Sequence, residues 1–110
     1  ERVDVFSVTG DHPQKDSLRA QFLDERRYSD DEVRFFIAGQ GLYTLHIGDY
    51  VYAIRCEKHD LLVIPAGIAH WFDIGENPHL VTLRLFNNAQ GQVPAFTGDE
   101  IARRFPGLDD

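Results

Sequence analysis

Glu32, Arg34, His70, Thr82 and Arg84 are residues whose types and spacing allow chemistry. Glu32, Arg34 and Phe36 alternate along one apolar segment, His70, Phe72 and Ile74 along a second, and Thr82, Arg84 and Phe86 along a third. In a β-strand, residues two apart point to the same side. If these three faces turn inward, they bring one carboxylate, one imidazole and two guanidinium groups together among aromatic rings. Burying such groups is costly unless they pair or meet a ligand. A glutamate and an imidazole in one dry cavity can act as acid and base, while the arginines hold an anion. The alternative is an internal network in which Arg34 or Arg84 pairs with Glu32 and His70 is a satisfied core histidine.

The elements that must position these residues are mostly strands. Val3 to Val8 reads as a first strand, and Pro13 with Leu18, Phe22 and Leu23 suggests a short amphipathic helix. Glu32 to Ile37 is strand-like, and Gly39-Gln40-Gly41 reads as a turn into Leu42 to Ile47. Gly48-Asp49 is a hairpin signal leading into Tyr50 to Arg55. Further strands follow at Leu61 to Ile64, His70 to Ile74 and Leu80 to Phe86, separated by Pro65-Ala66-Gly67 and Glu76-Asn77-Pro78. Thr97-Gly98-Asp99-Glu100 has the form of a capping box for a short helix carrying Ile101 and Phe105, ended by Pro106-Gly107. Many short strands at this spacing imply an all-β sandwich or barrel.

Composition narrows the classes of function. The 110 residues suit one domain, residues 1–110, and 43% hydrophobic content is enough for a core. The net charge is −7 and the eleven basic residues are scattered, which argues against nucleic acid as a partner and for a small molecule. No run approaches the ~18 apolar residues of a membrane span. The N-terminal residues show no secretory pattern, and the single cysteine, Cys56, suits a reducing compartment, so a cytoplasmic location is expected. Cys56 itself reads as a packed residue.

The wording of the sequence adds a resemblance. Asp60 to His70, with Pro65-Ala66-Gly67 before the histidine and Asn77 after it, resembles the second cupin motif, and Glu32 followed by Gly39 resembles the end of the first. Asp31-Glu32-Val33-Arg34-Phe35-Phe36, Leu45-His46-Ile47-Gly48-Asp49, His70-Trp71-Phe72-Asp73, Arg84-Leu85-Phe86 and Phe96-Thr97-Gly98-Asp99 are similar to the acireductone dioxygenases of methionine salvage. The resemblance runs from about Val3 to Leu108 and lacks the additional N-terminal region such enzymes usually carry. It implies a small double-stranded β-helix barrel of the cupin type with short N- and C-terminal helices.

In that family iron or nickel is held by three histidines and one glutamate. The resemblance places two of these ligands at Glu32 and His70, and the His-x-His pair at Arg26 and Tyr28. Arginine has no lone pair for a metal. A tyrosine can ligate as phenolate to a strong Lewis acid, so the implied metal set is Glu32, His70 and Tyr28, with Glu32 and His70 as the catalytic pair. Arg34, Phe72 and Arg84 are implied to line the substrate pocket. Arg26 is a further candidate for substrate binding; in a competing, metal-free picture it enters the cavity, pairs with Glu32 and takes the place of the cation. The resulting readings are a divergent metal-dependent dioxygenase acting on a small oxygenated anion, a metal-free enzyme using Glu32 and His70 as acid and base, or an inactive binding homologue. His12, His46, His59 and His79 lack ligand spacing, and Leu42-Tyr43 or Tyr50-Val51-Tyr52 are candidate edges for a homodimer.

Overall fold

The computed structural model describes residues 2–86 and 94–109, without the side chains of Arg2 and Phe86. The inward placement expected of Phe86 therefore lies outside the described residues. Among the described residues there are eight strands and one α-helix: β1 (Arg2–Val8), α1 (Lys15–Leu23), β2 (Arg26–Arg27), β3 (Glu32–Ile47), β4 (Tyr50–Glu57), β5 (Leu61–Ile64), β6 (Ala69–Asp73), β7 (Leu80–Phe86) and β8 (Ala95–Phe96). They form a curled antiparallel sheet in the order β1-β7-β3-β6-β2-β8, with β4 and β5 also paired to β3.

β3 organises the fold because it belongs to both halves of the barrel. Its first half pairs with β7 and β5, and its second half with β4 and β6. The turn expected at Gly39-Gln40-Gly41 is not a turn: β3 runs unbroken through it for 16 residues. The register slips between Phe36 and Ala38, a bulge, and Gly39 follows with φ of 79°. A bulge beside a left-handed glycine bends a strand without reversing it. Only glycine fits there, since a Cβ on Gly39 would lie 1.7 Å from the His79 carbonyl oxygen.

The barrel interior holds Val8, Phe36, Tyr43, Cys56, Ile64, Phe72, Ile74 and Leu80, with Phe6, Leu18 and Phe22 packed against them. Burial pushes the Cys56 thiol up to about 11, so it remains a neutral packing group. The outer face around the first half of β3 is also apolar. Val3, Leu85, Val33 and Val63 form one row across four strands, and Val5, Leu83, Phe35 and Leu61 a second.

Helix α1 and the segment around Leu108 are tied to β6 by one carboxylate. Buried Asp73 accepts hydrogen bonds from Arg19 Nε at 2.8 Å and Nη2 at 3.2 Å, and from the amides of Gly75 at 2.9 Å and Leu108 at 2.8 Å. Burial alone would raise its pKa, but these donors lower it. The expected C-terminal helix is only a 3₁₀ turn over Ile101–Arg104. Its capping box does not form. The Thr97 hydroxyl accepts from the Asp99 amide at 3.2 Å rather than from Glu100, and Asp99 accepts from the Ile101 amide at 3.0 Å. Thr97 is drawn away because its hydroxyl donates to Glu25 at 2.7 Å.

Candidate functional site

The inward faces expected of β3, β6 and β7 do converge. Glu32, Arg34, His70, Phe72 and Thr82 are buried, and Arg84 is half-buried. The ladder sets Arg84 directly opposite Arg34 on one side and Asp4 on the other. Like charges facing each other across strands repel, and here the two guanidiniums alternate with the carboxylates of Asp4 and Glu32.

Glu32 is held by its neighbours. Its Oε2 accepts from the Tyr43 hydroxyl at 2.7 Å and from Arg34 Nε at 3.3 Å, while Arg34 Nη1 donates to Thr82 at 3.0 Å. Oε1 lies 3.6 Å from His70 Nε2. Burial works against the charge on Glu32. The His70 contact and the guanidiniums of Arg34 and Arg84 more than offset it and hold the carboxyl at about 2. Burial also disfavours the Arg34 charge, yet neighbouring Tyr43 and Glu32 leave its pKa raised. The Tyr43 phenol is pushed well above its ordinary value, first by burial.

His70 Nδ1 lies 2.9 Å from the Ile68 carbonyl oxygen. A carbonyl only accepts, so Nδ1 carries the proton in that contact and Nε2 is the nitrogen turned toward Glu32. In the neutral tautomer the Nε2 lone pair and the Glu32 carboxylate face each other, an arrangement that a shared proton or cation relieves. A void of about 10 Å³ adjoins Glu32, Tyr43, His70 and Phe72, the space of about one water-sized sphere. These donors, one imidazole nitrogen and one carboxylate oxygen, fit a divalent transition metal by type. Tyr28 stands beside them, its ring 5.6 Å from that of His70, with Arg84 stacked 5.7 Å from the Tyr28 ring centre.

Arg26 borders the same void but is not paired with Glu32. Its strand position is opposite His70, but its guanidinium turns away from Glu32. Nε donates to the Asp24 carbonyl at 3.2 Å, and Nη2 to that of Gln21. The guanidinium also lies over the rings of Phe96 at 4.8 Å and Phe22 at 5.7 Å. The Gln21 carbonyl, which already accepts from the Asp24 amide at 3.3 Å, and the Asp24 carbonyl both lie at the end of α1, where carbonyls left over by the helix take such donors. Arg26 thereby fastens α1 and β8 over the site. Outside this lid-like contact, a cavity of about 340 Å³ is lined by Asp4, Phe22, Arg26, Tyr28, Arg34 and Arg84. That volume is in the range of small-molecule sites.

Two groupings were not legible from spacing. Tyr43 was read as part of an exposed edge with Leu42, yet it is 1% exposed and bonded to Glu32, because β3 has partners on both sides there. Glu25, His46 and Asp99 also come together, with ligand atoms within 4.8 Å of one another. His46 Nδ1 and Glu25 Oε2 are 2.7 Å apart, and Thr97 occupies the other Glu25 oxygen. These residues lie on β3, just before β2 and just after β8, so only the tertiary fold unites them.

Comparison with known proteins gives one consistent result. A family model described as the ARD/ARD' family matches residues 1–94. An acireductone dioxygenase of Pseudomonas savastanoi pv. phaseolicola is 65% identical over 108 residues, covering 98% of this chain and 60% of the relative. One from Pseudomonas aeruginosa is 62% identical with the same coverage. The chain thus spans about three fifths of the length of the curated relatives it matches. Among solved structures, an acireductone dioxygenase from Bacillus anthracis with a cadmium ion in its active centre superposes with a TM-score of 0.79 at 30% identity, over 87% of this chain and 56% of that one. A Bacillus subtilis oxalate decarboxylase, at 19% identity and a TM-score of 0.55 over 67% of this chain and 20% of that one, shares the fold.

Proposed function

Because the chain belongs to the ARD/ARD' family, we propose that it is the cupin barrel of an acireductone dioxygenase-like oxidoreductase acting on a small oxygenated anion. Glu32 and His70 would hold one divalent transition metal, with Tyr28 as a third ligand. The observation that carries this reading is the opposition of Glu32 Oε1 and His70 Nε2 across 3.6 Å, with His70 oriented from behind by the Ile68 carbonyl. A metal bound there supplies Lewis acidity and a template for substrate and oxygen.

The protein's own groups account for the remaining steps. Arg34 and Arg84, adjacent in the ladder, bind and orient the anion in the cavity that they line with Arg26. Phe72 and Phe22, in edge contact at 5.9 Å, exclude water from its inner side. Acid–base catalysis by Glu32 and His70 without a metal is the weaker reading. A carboxylate held at about 2 has little affinity for a proton at neutral pH. An inactive binding homologue was argued from Arg26 occupying the cation position, and its guanidinium points elsewhere.

The same proposal takes residues 1–110 as one unit working in the cytoplasm. No helix among the described residues is long and apolar enough to cross a membrane. A homodimer would join through β4, which among the described residues pairs only with β3 and exposes Tyr50 and Tyr52.

The test is elemental analysis of the purified chain before and after chelation, repeated on His70→Ala. Near-stoichiometric iron, nickel, manganese or zinc, lost in the variant, is the expected result. No metal after supplementation overturns the metal-dependent reading.

A further inference from the structure

The Tyr43 hydroxyl makes a short hydrogen bond to Glu32, 2.7 Å, and nothing in the reading above uses it. Tyr43 sits on β3 in register with Phe72 of β6. Their rings stack at 4.2 Å with an interplanar angle of 14°. Gly41, two residues earlier on the same side of β3, leaves room for this stack, since a Cβ there would lie 2.3 Å from Phe72 Cε1. The phenol is therefore fixed by packing before its hydroxyl is considered. That hydroxyl donates to Glu32 Oε2 at 2.7 Å, and Arg34 Nε donates to the same oxygen at 3.3 Å.

A carboxylate oxygen offers about two lone-pair directions. With two donors on Oε2, that oxygen is fully engaged, and the plane of the carboxylate is set by a rigid ring on one side and a buried guanidinium on the other. The remaining oxygen, Oε1, is the one that faces His70.

We propose that Tyr43 is a positioning residue for this site: its hydroxyl dedicates Glu32 Oε2 to the protein scaffold and leaves Oε1 as the single ligand atom shared with His70. The consequence is specific. Glu32 binds a cation through one oxygen only, and loss of the Tyr43 hydroxyl frees the carboxylate to rotate or to ligate through both. This inference rests on the metal reading for its consequence, though the hydrogen bond itself does not.

The experiment compares wild type with Tyr43→Phe, which keeps the ring stack and removes the hydroxyl alone. Cobalt(II) affinity by chelator competition is expected to fall by about 10–100-fold, the usual effect of removing a group that orients a ligand. The visible spectrum of the bound cobalt should change, while near-UV circular dichroism of the metal-free chain stays the same. Cobalt affinity within about twofold of wild type with an unchanged spectrum overturns the proposal. If wild type binds no cobalt, the metal reading fails by itself. The positioning claim is then decided in the metal-free chain, by the ¹⁵N shifts of the His70 ring at fixed neutral pH. A change in those shifts in Tyr43→Phe sustains it, and identical shifts in both proteins overturn it.

Discussion

Arg34→Met removes a fully buried cation bonded to Glu32 and provides the sharpest check on how this interior is held together. Arg34 and Glu32 are 2% and 3% exposed, so neither charge is relieved by water. Arg34 also supplies the donor to Thr82 at 3.0 Å. Breaking a buried pair from one side leaves the partner charged and poorly compensated, at a cost of about 3–5 kcal/mol. For a chain of this size each 1 kcal/mol lowers the melting temperature by about 4–8 °C, so a fall of at least about 12 °C is expected. Glu32→Leu/Arg34→Met removes both charges and should regain at least half of that loss, because well-packed apolar pairs replace buried ion pairs at little cost. The remaining deficit is the Tyr43 hydroxyl, left without its acceptor at about 1–3 kcal/mol. Urea denaturation of wild type, both single variants and the double variant at neutral pH completes the cycle. A loss below about 1 kcal/mol in Arg34→Met, or a double variant equal to the sum of the singles, refutes a coupled buried pair.

Four further outcomes follow from particular contacts. Glu32 has its folded pKa depressed from 4.5 to about 2; its contribution is complete above the higher value and lost as pH falls through the lower. The unfolding free energy from urea titrations should therefore drop across that window, by on the order of 3 kcal/mol in wild type and much less in Glu32→Gln. Gly39→Ala places a Cβ 1.7 Å from the His79 carbonyl oxygen at a φ of 79°, and should cost more than about 4 kcal/mol, seen as insoluble protein or lost near-UV dichroism. Asp73→Ala releases Arg19, Gly75 and Leu108 together and should destabilise by about 3 kcal/mol, with the Leu108 amide losing its protection from hydrogen exchange. Arg26→His/Tyr28→His restores a His-x-His pair beside Glu32 and His70 and should tighten zinc binding measured against a chelator; unchanged binding would mean that the pair does not reach the Glu32–His70 pocket.

Alternation along the strands made most of the barrel and the inward placement of the site residues readable from sequence. In an extended chain the side to which a residue points depends only on parity, so Glu32, Arg34, His70, Phe72 and Thr82 could be assigned to one interior before any pairing was known. The absence of a ligand lone pair at Arg26 is likewise a property of the residue itself. What parity cannot specify is where a long side chain spends its hydrogen bonds. Arg26 turned to the carbonyls of Gln21 and Asp24 because α1 ends beside it. Tyr43 became a partner of Glu32 because β3 continues through Gly39 instead of turning. Thr97 left its expected cap because Glu25 lies next to it across the β2–β8 pair. Each of these partners is brought in by a segment distant in sequence or by a bend in the backbone, and the free energy of a buried polar contact depends on both ends being present. Residue type and parity thus decided which groups enter the barrel, and only the tertiary structure decided which of them meet.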